Sequence, residues 1–162
     1  MVRDDRELMT LMRGIVAGDA AAVARSLAAS PALASSSLRV GATRQSAQDY
    51  FFDEIAHYLL AGDTPLHAAA AAHRKAMVSE LLSMGADVGA RNRRGAQPLH
   101  YATDRIPDSA RRVPNAQWDT VIALLEAGAD PNVIDKSGVK STAANHTPGS
   151  ERRFRGVQLE NR

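Results

Sequence analysis

Apolar side chains recur along this chain with the spacing of amphipathic helices. In several segments they stand three and four positions apart, which places them on one face of a helix. These positions are Leu8, Leu11, Met12 and Ile15, then Val23 and Leu27, then Leu66, Ala69 and Ala70, and then Val78, Leu81 and Leu82. The pattern predicts a succession of short helices whose apolar faces share one core.

Composition supports this prediction and excludes several classes of protein. The 162 residues include thirty alanines but only seven Phe, Tyr or Trp, which favours closely packed helices over a β-sandwich. The absence of cysteine excludes disulfides, thiol nucleophiles and Cys-based metal sites. We find no apolar run of the roughly 20 residues that span a bilayer, and the acidic start of the chain is unlike a signal peptide. We therefore expect a soluble, cytoplasmic protein that does not enter a membrane.

Two segments of the chain share one sequence pattern. Pro65-Leu66-His67 recurs 33 positions later as Pro98-Leu99-His100, and each copy leads to a Leu-Leu pair followed by Gly-Ala-Asp. These residues resemble the ankyrin repeat, a β-turn plus two antiparallel helices with a 33-residue period and a TPLHxA signature. The second copy departs from the signature at Gln97, where the first has Thr64.

The resemblance implies an all-α repeat solenoid, an ankyrin array of about three helix pairs. The segments that depart from the repeat pattern add an inserted helix and a long inter-helix loop to this prediction. We expect a single ankyrin-repeat domain over residues 1–141 and an atypical C-terminal tail over 142–162. The expected parts of the domain are a cap repeat at about 4–34, the inserted helix at about 42–60, a repeat at 62–94 and an enlarged repeat at 95–137.

The inserted segment carries most of the aromatic residues. Its larger side chains are spaced mostly as on a helix face, at Ala47, Tyr50, Phe51, Glu54, Ile55, Tyr58 and Leu59. One interpretation is that this helix covers the open groove or the edge of the stack. The other is that Tyr50 and Phe51 anchor a partner, since large rigid side chains dominate binding interfaces.

The enlarged repeat and the tail depart from the repeat pattern. About ten extra residues fall between Asp104 and Gln117, and their prolines and arginines predict an exposed loop. In the tail, Ser150 is placed to cap a short helix that would shield the last repeat. The alternative is a tail without regular structure.

We find no catalytic motif in the sequence. His67 and His100 belong to the repeat signature, where the resemblance implies a structural role in the turn and against the neighbouring repeat. We find no nucleophile elbow, phosphate-binding loop or zinc motif, and no His, Asp and Glu set with metal-ligand spacing. We therefore expect no enzyme, with no catalytic residue, cofactor or metal.

The resemblance implies instead a scaffold that binds another protein. Partners of ankyrin arrays usually meet the turn tips and the concave face of the first helices. Carried onto this chain, the partner-binding positions are Arg91, Arg93, Arg94, Tyr101, Asp104, Arg105 and Lys136, together with Tyr50 and Phe51. The cations suit an acidic partner surface, although a solvated charged turn is the simpler interpretation.

Two other functions stay open. The unfinished C-terminal end favours a self-associating module, and arginine pairs leave nucleic-acid binding as a less favoured alternative. The net charge is only +2, and 17 of the 20 cations are arginine. A GC-rich gene would produce the same bias. The arginine bias, the absence of low-complexity segments and the compact form of the chain lead us to expect a bacterial origin.

Overall fold

The computed structural model describes residues 3–104 and 114–141 of the chain. Within these residues six α-helices follow one another, and one two-stranded hairpin lies between the second and the third. The helices are α1 (Arg3–Ala17), α2 (Ala20–Ala29), α3 (Pro65–Ala71), α4 (Lys75–Ser83), α5 (Pro98–Thr103) and α6 (Pro114–Glu126), and the strands are β1 (Phe51–Phe52) and β2 (His57–Tyr58). Short 3₁₀ turns cover Pro31–Ser35 and Gln48–Tyr50.

Tight turns join the two helices of the first and second pairs. One residue in each turn adopts the left-handed conformation, Gly18 with φ of 77° and His73 with φ of 52°. Asp19 then caps α2, because its carboxylate accepts a hydrogen bond from the backbone N–H of Ala22 at 2.9 Å. Beside the second turn, Arg74 donates to a backbone carbonyl at the end of α1, so this turn also ties one repeat to the preceding one.

The helices stack as three pairs in two layers. The first helices of the pairs, α1, α3 and α5, pack side by side, and α4 packs against α6 in the second layer. Ala68, Ala69 and Ala70 on α3 are fully buried between the neighbouring helices. Because these positions carry only methyl groups, the helices approach closely. The expected all-α repeat array of about three helix pairs is confirmed.

The turns that precede the repeats form a row, which we call the tip row: residues 38–42 with 59–62, residues 91–95, and residues 134–140. Backbone hydrogen bonds connect these turns. Arg93 donates to the carbonyl of Ala61, and Lys136 donates to the carbonyl of Arg94, each at 2.8 Å. One continuous edge of the molecule is therefore held by its own backbone.

The prediction of an inserted helix over residues 42–60 is wrong. The segment forms a β-hairpin in which Phe51 pairs with Tyr58 and Phe52 with His57. The turn of this hairpin spans residues 53–56. An isolated bridge between Gly41 and Leu60 continues the antiparallel pairing back to the tip row.

The hairpin forms because its alternate side chains find partners in the helices. Tyr50 and Phe52 are buried, while Phe51 between them is partly exposed, which is the alternation of a strand. Arg13 on α1 donates to the carbonyl of Asp49 at 3.1 Å and lies 5.3 Å above the ring of Phe52. These contacts with α1 outweigh the helical spacing of the sequence.

Three predictions lie outside the described residues. They concern most of the long loop between Asp104 and Gln117, the position of Arg105, and the C-terminal tail over 142–162. Among the described residues, no helix has the length and apolar character needed to cross a membrane.

Candidate functional site

The middle turn of the tip row carries three exposed arginines. The guanidinium of Arg91 donates to the carbonyl of Gly95 at 3.2 Å, and that of Arg93 donates to the carbonyl of Ala42 at 2.8 Å. A guanidinium has five N–H donors, so each arginine keeps donors and its positive charge at the surface. Arg91 and Arg93 therefore brace the tip row and also give it charge.

Two further cations complete this edge. The ammonium of Lys136 donates to the carbonyl of Arg93 at 3.0 Å and stays exposed. The guanidinium of Arg94 is exposed and makes no hydrogen bond to the part of the chain that the structure describes, while its backbone N–H donates to Asn92 at 2.9 Å. The structure thus brings Arg91, Arg93, Arg94 and Lys136 together on one basic edge.

Tyr101 is not available to a partner, contrary to the expectation. It is 6% exposed, and its hydroxyl donates to Oδ2 of Asp63 at 2.7 Å while accepting from the amide of Asn92 at 3.0 Å. The reason is that the buried carboxylate of Asp63 needs hydrogen-bond donors, and the Tyr101 hydroxyl is one of them. Asp104 does lie at the surface, just after α5.

The Asp63 carboxylate is the centre of a buried polar cluster that the sequence analysis missed. Asp63 is fully buried, and it also accepts from the backbone N–H of Leu60 at 2.6 Å and from the amide of Asn92 at 2.9 Å. Burial, and then the negative charge of Asp63, raise the pKa of Tyr101, so the hydroxyl remains a donor. The available signal in the sequence was that Tyr101 occupies the position that Ala68 holds in the preceding repeat.

His67 has the structural role that the resemblance implied. Its Nδ1 accepts from the backbone N–H of Thr64 at 3.1 Å, which leaves the proton on Nε2, 3.2 Å from the carbonyl of Ala96. His67 therefore ties the turn of its own repeat to the next repeat. His100 repeats the first bond with the N–H of Gln97 at 3.1 Å.

Of the two predicted aromatic anchors, Tyr50 is contradicted by its burial, and Phe51 stays a prediction. Tyr50 is 1% exposed, with its hydroxyl 3.5 Å from Asp5, so it is not a surface anchor. Phe51 is partly exposed and contacts Tyr58, with ring centroids 4.6 Å apart. The pairing of the two strands places the side chains of residues 51 and 58 on one side, and Tyr50 is buried. The exposed aromatic pair is therefore Phe51 and Tyr58.

The hairpin lies across the ends of α3 and α5. Its Ile55 and His57 line a small cleft with Ala71, Tyr101 and Asp104, and the His57 ring meets the Tyr101 ring edge-on at 4.5 Å. Burial lowers the pKa of His57, while the negative charges of Asp63 and Asp104 oppose this effect. The inserted segment therefore covers part of the face on which ankyrin partners were expected to bind.

The same surfaces show little that could perform chemistry. Over residues 3–104 and 114–141, no three His, Asp or Glu side chains are grouped so that they could hold a metal ion. The buried Asp63 and His67 are occupied by hydrogen bonds within the protein. What the arrangement offers is a charged edge beside an aromatic hairpin, which suits binding.

A comparison with protein families agrees with the repeat pattern. The family model described as ankyrin repeats (3 copies) matches residues 44–135, more than half of the chain. No curated protein matches. A solved structure, the ankyrin repeat domain of Bcl-3, a unique member of the IkappaB protein family, is 26% identical with a TM-score of 0.40. That match covers 49% of this chain and 31% of the other, so the chain spans about a third of that domain.

The matched residues contain the second and third helix pairs and the hairpin, while α1 and α2 precede them. The packing of α1 against α3 places the first pair in the same array. The repeated sequence, the stacked helix pairs and the family match lead to the same conclusion: the chain belongs to the ankyrin repeat family.

Proposed function

We propose that this protein is a non-catalytic scaffold that binds an acidic surface of a partner protein through its tip row and the part of the adjoining concave face that the hairpin leaves uncovered. Ankyrin repeats are general protein–protein interaction modules, and this supports the binding of a protein. The observation that carries the proposal is the basic edge formed by Arg91, Arg93, Arg94 and Lys136. Exposed charge of one sign steers a partner of the opposite sign and sets the register of docking.

The backbone supports a pre-organised edge. The hydrogen bonds between the turns of the tip row fix the spacing of these cations before any partner arrives. Arg91, Arg93 and Lys136 are further restrained by their own bonds to carbonyls. Binding then loses less side-chain entropy than it would with mobile arginines.

Arg94 provides the cleanest test, because its side chain makes no hydrogen bond within the described residues. Tagged full-length chain is crosslinked in its host cell, and the captured proteins are quantified by mass spectrometry. We expect Arg94→Glu to lose the specific partner, whereas Arg25→Glu, an exposed arginine on α2, retains it. Recovery of the same proteins in the same amounts with both variants would contradict the proposal.

A second candidate function is self-association at the C-terminal end of the array. Ile134 and Val139 on the last turn of the tip row are 52% and 57% exposed, the highest values among the large apolar side chains of the described residues. Light scattering of the full chain tests this candidate. Oligomers that dissociate in the variant I134K/V139K would support it, and a monomer throughout the micromolar range would remove it.

Several finer predictions stay predictions. They include the cytoplasmic location, the bacterial origin and the division of the chain into a domain over 1–141 and a tail over 142–162. Binding of nucleic acid also remains the less favoured alternative. It would appear as a steep fall of affinity with rising salt concentration.

A further inference from the structure

The outer side of the hairpin is an exposed aromatic surface. Phe51 and Tyr58 face each other across the two strands, so their side chains project from the same side of the sheet. Their rings lie 4.6 Å apart, and Tyr58 remains 45% exposed. We call Phe51 and Tyr58 the aromatic pair.

Acidic residues lie beside the aromatic pair in the sequence. Asp53 and Glu54 are exposed in the turn that joins its two strands, and Asp49 is exposed just before the first strand. Residues 43–58 hold these three acids but a single cation, Arg44. The segment that contains the hairpin therefore has a net negative charge, in contrast to the basic edge of the tip row.

The cation that contacts the hairpin from α1 lies on its other side. Arg13 is above the ring of Phe52, whose side chain projects opposite to the aromatic pair. On that inner side His57 packs against Tyr101. The outer faces of the two rings are thus left to meet another molecule.

We propose that the aromatic pair, with Asp53 and Glu54, docks a partner segment in which an arginine or lysine is next to an apolar residue. A cation is attracted both to the face of an aromatic ring and to nearby carboxylates. The apolar neighbour covers the remaining ring surface, which otherwise stays in contact with water. The aromatic pair, Asp53 and Glu54 are not residues of the basic edge, so this inference does not depend on an acidic partner.

The hairpin holds the surface in place without help from a partner. Two-stranded hairpins are marginal when isolated, but Tyr50, Phe52, Ile55 and Leu59 bury their side chains in the core. The aromatic pair is therefore presented on a fixed support. Docking needs little ordering of the protein itself.

Selection from a random 12-residue peptide library displayed on phage tests the inference, with the full-length chain as the bait. We expect enriched peptides to carry Arg or Lys beside an apolar residue. Loss of the ring in Tyr58→Ser weakens the binding of these peptides by about fivefold, which corresponds to the roughly 1 kcal/mol of a cation–π contact at a partly exposed site. The double variant D53N/E54Q weakens the binding of these peptides in low salt and weakens it less in high salt, because salt screens the charges.

Matched controls separate docking from damage to the fold. Tyr58→Phe retains the ring and keeps the affinity, and E80Q/E126Q removes two exposed acids from α4 and α6 without effect on these peptides. Enriched peptides that carry no cation would overturn the proposal. Equal enrichment with Tyr58→Ser as the bait, or no enrichment at all, would also overturn it. A partner lost with Arg94→Glu but retained with Tyr58→Ser would leave the acidic-partner proposal standing alone.

The chain carries a competing occupant of its own, since Arg152, Arg153 and Arg155 flank Phe154. The same selection is therefore run on the variant R152S/R153S/R155S. Unchanged enrichment supports a separate partner. Enrichment that appears only with this variant would assign the surface to the chain's own terminus and overturn the proposal.

Discussion

Tyr101 shows how one side chain turns a repeated position into a specific contact. The preceding repeat has Ala68 at this position, and the tyrosine hydroxyl instead reaches the buried carboxylate of Asp63. We expect Tyr101→Phe to lower the free energy of unfolding by about 1–3 kcal/mol, because a buried charge loses one of its donors. Urea denaturation followed by circular dichroism measures this difference.

The control for this prediction is Tyr58→Phe. Its hydroxyl is removed from a side chain that is 45% exposed, so water replaces any lost contact and stability should stay within about 0.5 kcal/mol of wild type. Equal unfolding midpoints for the two variants would mean that the hydroxyl of Tyr101 does not stabilise the Asp63 cluster.

Ala56 in the turn of the hairpin has the conformation that glycine prefers. Its φ is 48°, and its methyl group is strained there. We expect Ala56→Gly to stabilise the protein by up to about 1 kcal/mol, since relief of strain exceeds the entropy that glycine adds to the unfolded chain. The matched change Ala47→Gly, at φ of −57°, should destabilise it instead. Thermal unfolding of both variants checks the opposite signs.

At the scale of elements, the repeats were predictable and the insertion was not. Thr64-Pro65 at the start of α3 and Gly85 after α4 determine helix ends by local chemistry, which sequence alone reveals. The helical spacing between residues 47 and 59 was misleading because strand formation depends on contacts with α1 that are remote in sequence. The three consecutive aromatics Tyr50, Phe51 and Phe52 were the available β-strand signal.

Histidines join neighbouring repeats and make their packing sensitive to acid. His67 bonds to the carbonyl of Ala96, and the Nε2 of His73 lies 3.2 Å from the carbonyl of Ala102. Burial lowers the pKa of both, and also of His57 and His100. The carboxylate of Asp63 opposes the effect at His67 and His57 without reversing it.

The direction of the pH dependence follows from these lowered pKa values. Between the folded pKa and the unfolded value of about 6.5, the unfolded chain binds more protons, so stability rises with pH. We expect the full stability above about pH 6.5 and a progressive loss as the pH falls below it. Urea midpoints measured from pH 8 to pH 5 check this. A midpoint that holds steady or rises toward pH 5 would show that the buried histidines are not coupled to folding.

At the scale of the molecule, charge was easier to predict than exposure. Repeat register alone placed Arg91, Arg93, Arg94 and Lys136 on one edge, because turn residues recur at fixed positions. Repeat register could not predict the burial of Tyr101, since this burial depends on a contact with Asp63 in another repeat. It also could not show that the hairpin covers the ends of α3 and α5. Three-dimensional packing therefore moves the accessible aromatic surface from Tyr50 and Tyr101 to Tyr58.

The buried side chains form one continuous core from Leu8 to Ala129, so we expect the array to unfold as a unit. Leu11→Ala in α1 should cost about 2–5 kcal/mol. It should lower the urea midpoint of Trp118 fluorescence in α6 as much as that of far-UV circular dichroism. Leu124→Ala in α6 verifies that Trp118 reports unfolding. If Leu11→Ala shifts only the circular dichroism curve, the repeats unfold separately, and the first helix pair contributes nothing to the stability of the basic edge.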